Sequence, residues 1–214
     1  SIAIGYQALS GTDTGTNNKN IAIGNYAMDA NLAGAVNNVA VGHEALSAVT
    51  TADNNTAIGY QALNSAATSQ NNTAVGYLAL EELTFNGNSY NTAVGVESGK
   101  ELTTVGIGAF AASTITSGIG NVAVGFEALK AEDDGDKSTA IGYQALTDQT
   151  GTTGTVGNTA IGYQAGQSVL TGVRNTYVGT SAGNKGSGSA ADDNTAIGFR
   201  SLRVNTSGSR NTSL

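Results

Sequence analysis

The chain has no cysteine, no proline and no tryptophan, a single histidine, and only 12% charged residues in 214 positions. Without cysteine there is no disulfide framework and no thiolate metal site. The net charge is −7, from 9 basic and 16 acidic residues. That balance excludes a phosphate-binding surface, which needs clustered Lys and Arg, so no nucleic-acid partner is expected. No apolar run approaches the ~18 residues of a spanning helix, and no basic-then-apolar leader is present, so no membrane insertion is expected. What is abundant is glycine, 30 residues, about twice the usual share.

The glycines mark a repeat, which governs every other motif. Asn55-Thr56-Ala57-Ile58-Gly59-Tyr60-Gln61-Ala62-Leu63 returns nearly unchanged at Ser138 to Leu146 and at Asn158 to Gly166. With these positions numbered 1 to 9, position 5 is Gly in all twelve full copies: Gly5, Gly24, Gly42, Gly59, Gly76, Gly95, Gly108, Gly125, Gly142, Gly162, Gly179 and Gly198. Successive corners lie mostly 17 to 20 residues apart, with one interval of 13. A thirteenth copy begins at Asn211. The repeat phase at the two ends predicts one array over 1–214, a fragment of a longer fibre uncapped at both ends.

Position 2 is Ile, Val or Thr throughout, position 4 is Ile or Val, and position 3 is Ala except at Gly106 and Tyr177. Alternation on a pleated strand puts positions 2 and 4 on one face and position 3 on the other. The invariant Gly predicts a corner with φ > 0. Position 8 is Ala or Ser and position 9 is mostly Leu, which reads as a second short strand. Connectors of 4 to 11 residues, rich in Gly, Ser, Thr, Asn and Asp, follow as turns. Asn at position 1 is expected to cap the turn or to stack as a ladder. The sum is an all-β parallel β-solenoid of about twelve coils, each advancing ~4.8 Å.

Positions 2, 4 and 9 are expected to form the thin core. The alanine row on the other face (Ala3, Ala22, Ala40, Ala57, Ala74, Ala93, Ala123, Ala140, Ala160 and Ala196) is expected to pack against other copies around a symmetry axis, in a homotrimer.

Thr56-Ala57-Ile58-Gly59 followed by Ala62 resembles the head repeats of YadA-like trimeric autotransporter adhesins. It is similar too to the Asn-Thr-Ala-Ile-Gly-Tyr-Gln-Ala-Leu arrays of phage and algal-virus tail-fibre-like proteins. The resemblance covers essentially the whole chain. It implies a trimeric left-handed parallel β-roll serving as a fibre shaft or adhesive head of a virion tail fibre or cell-surface adhesin, extracellular, and giving reach, rigidity and attachment. This repeat is longer than that of the adhesin heads, and the extra residues are placed in outward loops.

Other motifs are weaker. Gly179-Thr180-Ser181-Ala182-Gly183 spells a nucleophile elbow, but it is positions 5 to 9 of the repeat, and the sole histidine, His43, lies eight coils earlier. Gly106-Ile107-Gly108-Ala109-Phe110-Ala111 spells a dinucleotide fingerprint without the following helix. Asp133, Asp134 and Asp136 form an acidic loop whose spacing fits no EF-hand; a solvated loop is the simpler account. His43 is expected to be a surface ring. No catalytic, cofactor-binding or metal-ligating residue is assigned, and the chain is not expected to be an enzyme.

At position 6, Tyr60 should align with Tyr77 and Tyr143 with Tyr163, covering the Gly corner or, alternatively, facing a glycan ligand. A glycan-binding module using these rings or the connectors Glu81 to Tyr90 and Thr147 to Gly157 is the first alternative function, with a host-surface glycan or protein receptor as partner. A subunit of an end-to-end extracellular fibril is the second. Ice binding is disfavoured on the expectation that the Thr positions alternate with Ile and Val as a core does. Asn54, Asn71, Asn205 and Asn211 open glycosylation sequons.

Overall fold

A computed structural model describes residues 1–11, 19–83, 87–99, 104–115, 118–132, 134–150, 154–184 and 191–214, with only the backbone at 87, 88, 104 and 105. The chain divides into two compact units, Ser1–Leu102 and Thr103–Leu214. The division falls in the shortest connector, 100–103, which lies outside the described residues.

In the first unit the strands are β1 (Ile2–Ile4), β2 (Ile21–Ile23), β3 (Val39–Val41), β4 (Thr56–Ile58), β5 (Ser69–Gln70), β6 (Thr73–Val75), β7 (Gly87–Asn88) and β8 (Thr92–Val94). β1, β2, β3, β4, β6 and β8 pair in that order, every pair parallel and in register, so that Ala40 lies beside Ala57 and Ala57 beside Ala74. β5 and β7 form a second, shorter parallel pair.

In the second unit the strands are β9 (Thr104–Ile107), β10 (Asn121–Val124), β11 (Gly135–Asp136), β12 (Thr139–Ile141), β13 (Gly154–Thr155), β14 (Thr159–Ile161), β15 (Thr176–Val178), β16 (Thr195–Ile197) and β17 (Thr212–Ser213). The same parallel register runs through β9, β10, β12, β14, β15, β16 and β17, with β11 and β13 as the side pair. Each unit is therefore a parallel β-solenoid, and no helix occurs among the described residues. Ala131 lies in a turn and Asp134 in a bend, and Asp133 lies outside the described residues.

Each corner Gly has φ between +121° and +144°. Glycine is required there twice over. The conformation is nearly closed to residues with a Cβ. In addition, a Cβ on Gly59 would stand 2.2 Å from the Gly76 carbonyl oxygen in the next coil.

The segment after the corner is not the second strand that the sequence suggests. Positions 7 and 9 both take the left-handed conformation, as in Gln61 (φ +50°) and Leu63 (φ +51°). Residues with a side chain reach it at about 1–2 kcal/mol each. Hydrogen bonding between coils offsets that cost. The Gln61 N–H donates to the His43 carbonyl of the preceding coil (2.9 Å), and the Leu63 N–H donates to Ala79 of the following one (3.0 Å). Alternate amides thus point up and down the stack. The position before Asn is left-handed too, from Asn37 to Arg210.

The core differs from expectation in its direction. Ala22, Ala40, Ala57, Ala74, Ala93, Ala123, Ala140, Ala160 and Ala196 are fully buried inside their own coils, beneath Leu46, Leu63, Leu80, Leu129 and Leu146. They are not an outer face open to a second protomer; only Ala3, in the end coil, is exposed. The physical reason is width. The position-9 leucine and the position-8 alanine already fill most of a thin coil, so the strand wall facing them has room for a methyl and no more. Among the described residues, the connectors add to this core. Val49, Leu83, Ile115 and Val156 are buried within them, and parts of them form the side pairs β5–β7 and β11–β13.

Candidate functional site

Turning the alanines inward turns positions 2 and 4 outward. Ile58 is 41% exposed and Ile161 40%, and the Thr side chains at position 2 beside them are partly exposed. In each unit these residues make two parallel columns on one sheet face, about 4.8 Å from coil to coil. Only Ile, Val and Thr occur in them. A parallel sheet is normally covered on both faces. Here one face is covered by the core and the other carries no charge and no amide side chain. Large apolar surfaces of this kind mark interaction sites.

Beside the corner runs an aromatic column. In the first unit Tyr6, Tyr26, His43, Tyr60 and Tyr77 succeed one another with ring centroids 5.3 to 5.7 Å apart. In the second unit Phe110, Phe126, Tyr143 and Tyr163 do the same at 5.2 to 6.1 Å. Tyr60 and Tyr77 are stacked at 13°, Tyr143 and Tyr163 at 9°. Ring faces in such pairs are occupied by their neighbours, so the columns offer edges rather than platforms for a sugar ring. His43 is one rung of this stack, between Tyr26 and Tyr60.

Next to the rings, position 7 is polar in nine of twelve coils, with Tyr26, Leu78 and Phe110 in the others. Gln61 donates to Glu44 (2.5 Å), Gln144 to Glu127 (2.8 Å) and Gln164 to Gln144 (3.0 Å). The Lys130 ammonium, then Gln144, holds the Glu127 carboxyl below the usual carboxylate range.

Position 1 is a buried asparagine ladder. The Asn38 N–H donates to Asn20 Oδ1, that of Asn55 to Asn38 Oδ1 and that of Asn72 to Asn55 Oδ1, each at 2.9 Å. The Asn55 amide also donates to the Ser69 carbonyl across the coil (2.8 Å). Asn20, Asn38, Asn55, Asn121 and Asn158 thus tie the neighbouring coil to their own coil's far wall.

The motif fragments acquire ordinary roles. Ser181 is a position-7 residue with φ +55°, its N–H bonded to the Tyr163 carbonyl. Gly106 and Ile107 lie in β9, followed by turns. Asp136 Oδ1 accepts the Ile119 N–H (2.7 Å), so it is engaged in fixing the preceding coil. Asp133 lies outside the described residues, as do 84–86 and 151–153 of the two connectors considered for ligand binding. Among the described residues no group of three or more His, Cys, Asp or Glu could hold a metal ion. No helix among them is long and apolar enough to cross a membrane.

The outward face was missed by sequence reasoning, and a signal for it exists. Positions 2 and 4 never carry Leu, Met or Phe, the bulky residues of a filled core, whereas position 9 does. Comparison of the chain with known protein families, curated proteins and solved structures found no match.

Proposed function

We propose that the chain is a structural element of a fibrous surface appendage, such as a tail-fibre shaft or adhesive head, extracellular in location and assembled from copies of itself as a homotrimer. The observation that carries this reading is the uncharged Ile/Val/Thr face of each parallel solenoid. A face without charge offers nothing to an acidic or basic partner, while identical columns at fixed coil spacing are complementary to themselves under rotation. The symmetric contact moves from the alanines to positions 2 and 4. Rigidity follows from the additive nature of a solenoid, in which each coil is held by its two neighbours. The resemblance to adhesin and tail-fibre repeats agrees with a role in reach and attachment.

Light scattering tests this. The expected solution mass is three times 21.3 kDa. The double variant Ile58→Lys/Ile161→Lys should fall to one chain with its β circular dichroism intact. A wild-type chain that is a folded monomer at all concentrations would sink the reading.

A further inference from the structure

The aromatic columns have no part in the fibre reading, and beside the edge-to-face pair Tyr6–Tyr26 (82°) they contain two stacked pairs of tyrosines held in a reactive arrangement. Tyr60 and Tyr77 lie with ring centroids 5.3 Å apart and planes within 13°; Tyr143 and Tyr163 lie at 5.3 Å and 9°. All four rings are 42% to 49% exposed, so a diffusing oxidant reaches them. Their backbones are fixed by the coil stack: the Gln61 N–H is bonded to His43 and the Leu78 N–H to Tyr60, as the Gln164 N–H is to Tyr143. The chain has no cysteine, so no disulfide can join one coil to the next. Phenol pairs at coil spacing are the side chains able to do so.

We infer that Tyr60–Tyr77 and Tyr143–Tyr163 are oxidative modification sites, each pair coupling to a dityrosine that staples adjacent coils when a peroxide-driven one-electron oxidant reaches the surface. Each phenol gives one electron to the oxidant and one proton to water, leaving a phenoxyl radical. The two radicals join through the ring carbons ortho to oxygen, forming one carbon–carbon bond. The hydrogens on those carbons shift to the oxygens and restore both phenols. Each pair loses two hydrogens in total, and the oxidant takes up two electrons. The side-chain torsions of half-exposed rings permit the small rotation from stacked to edge-joined. Buried Tyr177 is shielded, and Tyr90, 69% exposed, has no ring neighbour among the described residues.

The test is exposure of the chain, folded and urea-unfolded, to a haem peroxidase with hydrogen peroxide. In the folded chain the expected products remain single chains on a denaturing gel. They are lighter by two hydrogens per pair and yield digest peptides joining Tyr60 to Tyr77 and Tyr143 to Tyr163. Because the fold holds the rings in contact, their yield should exceed that of the unfolded chain by about tenfold. Tyr77→Phe should abolish only the first link and Tyr163→Phe only the second, with Tyr90→Phe leaving both. Coupling that runs only between chains through Tyr90, or equal yield from the unfolded chain, would overturn the inference. The result does not depend on trimer formation, since both links lie within one chain.

Discussion

The asparagine column of the first unit is unbroken from Asn20 to Asn91, while that of the second is interrupted at Ser138. The short serine leaves a gap at the ladder, and two buried side chains enter it. Gln149 donates to Ser138 Oγ (3.0 Å) and to Glu132, and its own carbonyl accepts from Asn158 (2.8 Å). Glu132 in turn accepts the Gly135 N–H (2.8 Å). A second substitution sits lower in the same unit. Tyr177 stands where ten coils have Ala and one has Gly106, and position 9 of its own coil and of the one before is Gly183 and Gly166. A Cβ on Gly183 would meet the Tyr177 ring at 2.3 Å, and one on Gly166 would meet it at 2.8 Å. The ring occupies the volume of two missing leucines. The difference between the units teaches that the repeat conserves filled volume and satisfied hydrogen bonds within neighbouring coils, not the identity of each residue.

The largest expected effect comes from what the units share. Gly59→Ala and Gly142→Ala should each cost about 3 kcal/mol or more, because the backbone must leave a conformation open mainly to glycine and the carbonyl of the next coil must move. Urea unfolding followed by circular dichroism measures this. A loss below about 1 kcal/mol in both would remove the corner from the account.

Next comes the Tyr177 exchange. Tyr177→Ala should lose about 3–5 kcal/mol through the cavity it leaves. The triple variant Tyr177→Ala/Gly166→Leu/Gly183→Leu, which restores the first unit's pattern, should recover most of that loss. If the triple variant is no more stable than the single one, the volume exchange is wrong. The same residue gives a pH signature. Burial pushes its phenol up to about 12 from 10.0, and Asp192 adds to the shift. The raised folded value means that its stabilising contribution is complete below pH 10 and is lost as pH rises through about 12. Tyr177→Phe should remove that alkaline component of unfolding.

Asn55→Ala should cost about 1–3 kcal/mol by removing the acceptor of the buried Asn72 N–H and the donor that Asn55 offers to the Ser69 carbonyl. Ser138→Ala should cost less, since Gln149 keeps its bonds to Glu132 and Asn158. Equal losses at the two sites would mean that the inserted pair does not substitute for the ladder.

Much of this was legible in the sequence. The corner glycines, the coil spacing and the strands at positions 2 to 4 follow from columns of residue type that only stacked coils explain. The side of the strand did not follow. A small side chain such as Ala57 suits a close interface and a narrow interior equally well, and only the bulk of Leu63 on the opposite wall decides between them. The left-handed turns were hidden because Leu and Gln resist that conformation locally; the sole trace was Gly at position 9 in Gly99, Gly166 and Gly183. The Glu132–Gln149 pair was hidden because both residues sit in connectors that read as polar loops.

The central claim, that alanine points into the coil and isoleucine out of it, is tested most directly by thiol labelling, since the chain has no cysteine of its own. Ala140→Cys and Ile141→Cys would each be made in the Ile58→Lys/Ile161→Lys background, which keeps the outer face open. The account predicts rapid modification at 141 and protection at 140 until the chain is unfolded. Rapid modification at 140 with protection at 141 would contradict it and return the alanines to an outer face.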